Sequence, residues 1–128
     1  MARVFKTRTF ARSTRKLGLT DAALWAAVEE MIDGLVDASL GGEIVKKRVA
    51  LPGQGKRGGA RTIVATRMAD RWFFLYGFNK NERSNIGKGE LKVLQEIAKE
   101  LLALEDRELE IALFAGELVE ITNDSDKE

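Results

Sequence analysis

Residues Lys46–Asn85 read KKRVALPGQGKRGGARTIVATRMADRWFFLYGFNKNERSN, and their reading decides the fold. A basic run, Lys46, Lys47 and Arg48, sits within a strand-like segment whose apolar positions are Ile44, Val45, Val49 and Leu51. Pro52 stops pairing, because it cannot donate to a ladder. A glycine-rich loop is expected over Leu51–Gly59. Two further strands follow, around Arg61–Met68 and Trp72–Phe78. The second, WFFLYGF, is almost continuously apolar and aromatic, as suits a strand buried on both faces. Ala69-Asp70 suits a tight antiparallel hairpin between the two. A polar turn with Lys80 and Arg83 closes the stretch. Glycine allows a close backbone approach, and cations on the rims of such strands can converge on an anion. The stretch therefore predicts a sheet carrying a positive site for a nucleic-acid phosphate.

The remaining composition narrows the chemistry. A chain of 128 residues suits one domain with a real core. With 45% apolar and 32% charged residues it reads as globular rather than disordered. No apolar run approaches the ~20 residues that span a bilayer, so no membrane partner is expected. The N-terminal MARVFKTRTFARSTRK is basic but lacks an apolar h-region, so no secretory signal is read and a cytoplasmic location is expected. The sequence has no cysteine, which removes disulfides and thiol catalysis, and no histidine, the commonest general base and metal ligand. Metalloenzyme and Ser-His chemistries are disfavoured, and no cofactor or metal is expected.

Charge is distributed unevenly. Residues 1–92 carry 18 Lys and Arg against 9 Asp and Glu, a net of +9, whereas residues 93–128 carry 3 against 11, a net of −8. Either the basic body has an anionic partner or the two parts attract each other.

Outward from the central stretch, Val4–Thr7 reads as a short first strand. Arg8, Arg12, Arg15 and Lys16 follow at spacings of a short basic helix; most of them read as a solvated helix face, with a phosphate contact open to one or two. Thr20 suits an N-cap and Asp21 the positive end of a helix dipole. Leu24, Val28, Met31, Leu35 and Ala38 then form one apolar stripe, so a helix is expected to run on until Gly41-Gly42. After Gly87–Gly89, a second amphipathic helix presents Leu91, Leu94, Ile97, Ala98, Leu101 and Leu104. Glu105–Ala115 suits a short helix stopped by Gly116, Leu118–Ile121 a short strand or docking segment, and Thr122–Glu128 a frayed end.

Gly53-Gln54-Gly55-Lys56-Arg57-Gly58 formally matches G-x-G-x-x-G, but a dinucleotide fingerprint needs a strand before it and a helix after it. Here a strand follows, so that reading fails. A Walker A reading fails as well, since no Gly-Lys pair precedes Ser or Thr. What remains is a loop bearing Lys56 and Arg57 with Arg61 on its exit strand, either solvated or gathered round an anion.

The segments GKRGGAR and GFNKNERSNI, with the strands between them, resemble the RelE/ParE superfamily of bacterial toxins, nearest the RelE- and HigB-like branch of type II toxin–antitoxin modules. The likeness spans about residues 3 to 104. It implies an α+β fold, RelE-like and compact, with an antiparallel sheet packed against two N-terminal helices and a C-terminal helix. The domain division is then a RelE-like toxin domain at 1–104 and an acidic C-terminal extension at 105–128, docked on the same domain with a frayed end. The activity implied is that of a metal-independent, ribosome-dependent endoribonuclease (an mRNA interferase), in which the RNA 2′-hydroxyl attacks the adjacent phosphate. The implied partners are the ribosome, mRNA and a cognate antitoxin of helix-turn-helix type.

Carried over by motif, Arg61 is similar to the family's strand arginine at the scissile phosphate. Lys56 and Arg57 resemble its loop cations, and Lys80 the lysine of its turn. Catalytic roles are thus expected of Lys56, Arg61 and Lys80, and substrate binding of Lys47, Arg48, Arg57 and Arg83. Arginine grips two phosphoryl oxygens where lysine is a point charge. A lysine crowded by cations, as Lys56 would be, can exchange its proton nearer neutral pH. One departure stands out. Ile86 lies where such nucleases often place a Tyr or His, and the only tyrosine is Tyr76, in the buried-looking strand. A ParE-like inhibitor of DNA gyrase and a non-catalytic nucleic-acid-binding protein are the alternatives.

Overall fold

The computed structural model describes residues 2–67 and 70–122, with the side chains of residues 55–57 outside the description. In chain order the elements are β1 (Arg3–Thr7), α1 (Arg8–Ser13), α2 (Asp21–Ile32), β2 (Ala38–Gly41), β3 (Ile44–Leu51), β4 (Gly55–Arg67) and β5 (Arg71–Asn79). They are followed by α3 (Lys88–Leu102), α4 (Asp106–Phe114) and β6 (Leu118–Ile121). The strands form one sheet in the order β2-β3-β4-β5-β1-β6. Neighbours are antiparallel except β1 and β5, which run parallel. The result is the expected α+β architecture in three layers.

Pleating assigns the layers, since successive strand residues point to opposite faces. Val4, Val49, Val64, Trp72, Phe74 and Ile121 pack with Phe10 of α1 and Leu24, Val28 and Met31 of α2. Phe5, Ile44, Ile63, Ala65, Phe73 and Leu75 pack on the other face with Leu94 and Ala98 of α3 and Leu109 of α4. β5 feeds both clusters, which is why its sequence is an unbroken apolar run. Ile63 pairs with Tyr76 while Val64 pairs with Phe74, so Leu75 is an extra residue in β5. This bulge turns both Leu75 and Tyr76 toward the α3 face.

Local signals explain most of the ends. Thr7 closes β1 and opens α1, its hydroxyl accepting from Phe10 N at 3.0 Å and donating to the Leu75 carbonyl at 3.3 Å. Thr20 caps α2 by accepting from Ala23 N at 3.1 Å. Gly116, at φ +77°, stops α4: its N–H bonds to Leu113 O and that of Glu117 to Ala112 O.

Three expectations are corrected. The first concerns α2, which stops at Ile32 rather than at Gly41-Gly42. Gly34 takes φ +92°, donating to Met31 O at 2.9 Å while Leu35 N donates to Glu30 O at 2.9 Å. That pair of bonds completes a helix-ending motif. Leu35, read as core, is 55% exposed, and Ala38 belongs to β2 opposite Lys46. The second concerns the loop after Leu51, which is only Pro52-Gly53-Gln54. Gln54 N donates to Leu51 O at 3.0 Å, and Leu51 pairs with Gly55. Proline followed by a glycine at φ +76° supplies a tight turn, so the glycine-rich run joins β4 as strand. Third, α3 begins at Lys88 and ends before Leu104. Ala69 of the expected β4–β5 hairpin and residues 123–128 lie outside the described residues, although Arg67 and Arg71 pair as that hairpin requires.

Residues 105–121 belong to the same packed body. β6 pairs antiparallel with β1, placing Ile121 opposite Val4 and Leu118 opposite Thr7. Leu109, Leu118 and Ile121 are buried.

Candidate nucleic-acid interface

Two rungs of the sheet position the central cations. Lys46, Ile63 and Tyr76 lie abreast on β3, β4 and β5, and two residues along Arg48, Arg61 and Phe78 do the same. Since Ile63 and Tyr76 face the α3 side, Arg48, Arg61 and Phe78 share that side beyond the cover of α3.

Arg48 is held by Asp37. Its Nε lies 3.0 Å from Asp37 Oδ1, and its backbone N–H donates to Oδ2 at 2.6 Å. Arg61 has its guanidinium pKa lowered, first by burial and then by the neighbouring Arg48 charge, with Asp37 opposing. Arginine stays charged even so. Two guanidinium groups on one rung, with Asp37 paired to the first and acting on the second, form a basic site able to meet a phosphate.

Arg83 completes the cluster from the turn after β5. Its Nη2 and Nη1 reach Glu90 at 2.5 and 3.1 Å, Nη1 also donates to the Tyr76 hydroxyl at 3.3 Å, and Nε donates to Asn85 O at 2.9 Å. Its guanidinium carbon stands 5.5 Å from the Phe78 ring centroid and 6.0 Å from that of Tyr76. Arg83 and, secondarily, the Gly87 N–H pull the Glu90 carboxyl down to about 2. The same carboxylate accepts from Gly87 N at 2.8 Å and so caps α3, tying the helix start to the cation.

The cations singled out in the sequence therefore part company. Arg48 and Arg61 come together on one rung, and Arg83 stands over the rings of Phe78, the partner of Arg61 on β5, and of Tyr76. Lys80 is exposed on the turn next to β5. Lys56 and Arg57 have their backbone on the first rungs of β4, and their side chains lie outside the described residues. Lys47 faces the opposite side of the sheet. It is 2% exposed, with Nζ 2.8 Å from Glu30 of α2 and 3.0 Å from Leu35 O. An ion pair buried beneath a helix holds that helix to the sheet and offers nothing to a substrate.

Sequence reasoning missed Tyr76 as a site residue. It is half-buried and turned to the site by the Leu75 bulge, which has no signature in an unbroken apolar run. Asp37 and Glu90, the counter-charges of the cluster, were missed as well. Acid at the first turn of a predicted helix was the one available signal for Glu90.

Among the described residues, no group of three or more Asp and Glu side chains is placed to hold a metal ion, and no helix is long and apolar enough to cross a membrane. The family model described as the RelE toxin of RelE / RelB toxin–antitoxin system matches residues 2–121. No curated protein matches the chain.

Proposed function

The chain belongs to the RelE toxin family of toxin–antitoxin systems, and from that premise we propose that it is a ribosome-dependent endoribonuclease cutting mRNA. The observation that carries this reading is the pairing of Arg48 with Arg61 on the α3 face of the sheet, beyond the cover of α3, with Phe78 beside Arg61 and Arg83 over the Phe78 ring. A site built from fixed cations suits a reaction whose transition state gathers charge on phosphoryl oxygens.

In the proposed step the 2′-oxygen attacks phosphorus and loses its proton, while the bond from phosphorus to the 5′-oxygen breaks. The products are a 2′,3′-cyclic phosphate and a 5′-hydroxyl that has gained a proton. Arg61 and Arg48 grip the non-bridging oxygens. Arg57 and Lys80 add charge from the rims, and Lys56 is the candidate base, its neutral amine taking up the 2′-proton and becoming a cation as it does so. The Tyr76 hydroxyl accepts from Arg83 and keeps its own proton to donate. It fills the role left vacant at Ile86, as proton donor to the 5′-oxygen or as the ring under a base.

A cognate antitoxin follows from the family; its helix-turn-helix type, the ribosome as the site of action and a cytoplasmic location belong to this proposal. The test is primer extension on translated messages after induction. In-frame cuts that vanish in Arg61→Ala support the reading. Growth arrest with a DNA-damage response and no cuts overturns it in favour of gyrase inhibition.

A further inference from the structure

β1 leaves the sheet early. Its last rung on β5 is Lys6 opposite Phe74, after which the chain turns into α1. The end of β5 beyond that rung borders α1 instead of a strand, and Ser13 Oγ accepts from Gly77 N at 3.3 Å. α1 sits so close that a Cβ on Gly77 would lie 2.5 Å from Thr14 Cγ2. Between this strand edge and the residues after α1 lies a cleft of about 310 Å³, lined among others by Arg12, Arg15, Lys16, Tyr76, Asn79 and Arg83.

Three features of the cleft point to an anion. Arg12, Arg15 and Lys16 are exposed, and among the described residues none of their side chains has a hydrogen bond or ion pair. Glu82 is the one acid in its lining, and Arg83 is already matched by Glu90. The favourable field at a helix C-terminus accounts for Arg12, which sits in the last turn of α1. It does not reach Arg15 and Lys16, which lie beyond that turn. Phe78, the partner of Arg61 on β5, and Tyr76 on the adjacent rung both line the cleft, so the cleft lies round the edge of β5 from the candidate site.

We propose that this cleft is a second phosphate subsite, which takes a backbone phosphodiester of the same single-stranded RNA that lies over Arg48 and Arg61. The identity of that strand rests on the nuclease reading above; the subsite itself rests on the cleft and its unpaired cations. A strand gripped at Arg61 is led past Arg83 to Arg15 and Lys16, which fixes the direction in which the RNA crosses the sheet. Such contacts position the backbone and carry no base specificity.

The experiment measures fluorescence anisotropy of a labelled unstructured oligouridine with the full chain, over a salt series. Each phosphate contact on a single strand adds about 0.7 to the slope of log affinity against log salt. Replacing Arg15 and Lys16 together by Gln should remove that one contact and lower the slope by about 0.7, so that a fourfold rise in salt weakens the variant about 2.6-fold less than the unmodified chain. Arg61→Gln should lower it independently by about 0.7, and the two effects should add. Circular dichroism checks folding, and Lys16→Gln alone serves where the double variant does not fold. A steep slope in the unmodified chain that is retained in the Arg15/Lys16 variant overturns the subsite and leaves the nuclease reading intact. No RNA binding by the unmodified chain at low salt overturns the subsite, while the ribosome-dependent nuclease reading is decided by primer extension on translated messages. A slope lowered by Arg15→Gln/Lys16→Gln but not by Arg61→Gln keeps the cleft as an anion site and removes the strand path.

Discussion

Arg48 and Arg61 stand directly opposite each other on β3 and β4, both turned to the face of the sheet that α1 and α2 do not cover. Two like charges on one rung oppose each other, and Asp37 offsets only part of that repulsion. The arrangement is better matched with an anion than without one. Arg61→Ala should leave the fold intact, because the residue is only half-buried, and lower the cleavage rate by about 10²–10³. Arg61→Lys should recover only part of the loss, since an ammonium does not grip two oxygens. Growth arrest on induction, read beside circular dichroism, is the check; a folded and fully toxic Arg61→Ala protein would remove Arg61 from the site.

Lys47 is one residue away in sequence and opposite in role. Its ammonium bridges Glu30 and Leu35 O beneath α2. Removing one partner of a buried pair costs about 3–5 kcal/mol. Glu30 keeps roughly a third of its side chain in water, so Lys47→Ala should fall near the lower end, about 3 kcal/mol. Urea denaturation measures this. Unchanged stability with lost RNA binding would return Lys47 to the substrate.

The contrast between Lys47 and Arg48 shows what the sequence could and could not reveal. Strand parity alone puts Lys47 on the face of Val45 and Val49, and Lys46 and Arg48 on the face of Ile44, so the separation was legible in VKKRV. The Leu75 bulge was not, because every residue from Trp72 to Leu75 is apolar and either register buries them. The end of α2 was masked by chance. Leu35 and Ala38 continue a helical spacing, yet Gly34 had already ended the helix by taking a conformation open to glycine. Thr20, Gly116 and the doubly buried β5 were plain, since each rests on one local rule that the tertiary structure does not oppose.

Glu90 ties Arg83 to the start of α3, and its pH dependence follows from its lowered pKa. Its folded value of about 2 lies below the usual 4.5 of a glutamate, so its contribution is fully present above about pH 5 and is lost as pH falls toward 2. The thermal midpoint of Glu90→Gln should therefore sit below that of the unmodified chain at neutral pH. The gap should close on acidification through that window, and it should narrow in high salt because the pair is exposed. A gap that is constant from pH 7 to pH 2 would assign the effect to capping geometry alone.

Gly77 lies beneath α1, where an added Cβ would meet Thr14 Cγ2 at 2.5 Å and Phe10 Cε1 at 3.2 Å. Gly77→Ala should cost about 1–3 kcal/mol by overpacking. Thr14→Ser removes that methyl and keeps the hydroxyl that donates to Phe10 O at 2.8 Å. It should restore part of the loss in the double variant, a coupling that a mutant cycle measures directly. Additive losses would mean that α1 shifts as a unit instead of meeting one methyl group.

The acidic end is the last case. Residues 105–128 could mask the basic surface or complete the core, and the geometry argues for the core. β6 fills the edge of β1, and Leu109, Leu118 and Ile121 are buried, the first two with Phe5 and Leu75 and the third with Val4 and Trp72. Burying three such side chains contributes roughly 5–9 kcal/mol as an upper estimate, against about 5–15 kcal/mol for the stability of a whole domain. Three acids of this segment also pair along its own edge of the sheet. Arg3 bonds Glu120 at 2.8 and 2.9 Å and Glu110 at 3.2 Å, while Arg71 bonds Asp106 and donates to Leu104 O at 2.6 Å. None of these partners is Arg48, Arg61 or Arg83. Removal of residues 105–128 should therefore yield a protein that aggregates or lacks a cooperative thermal transition. Leu118→Ala with Ile121→Ala should lower stability steeply while keeping every charge in place. A truncation that folds cooperatively and binds RNA more tightly than the full chain would instead make the segment a mask.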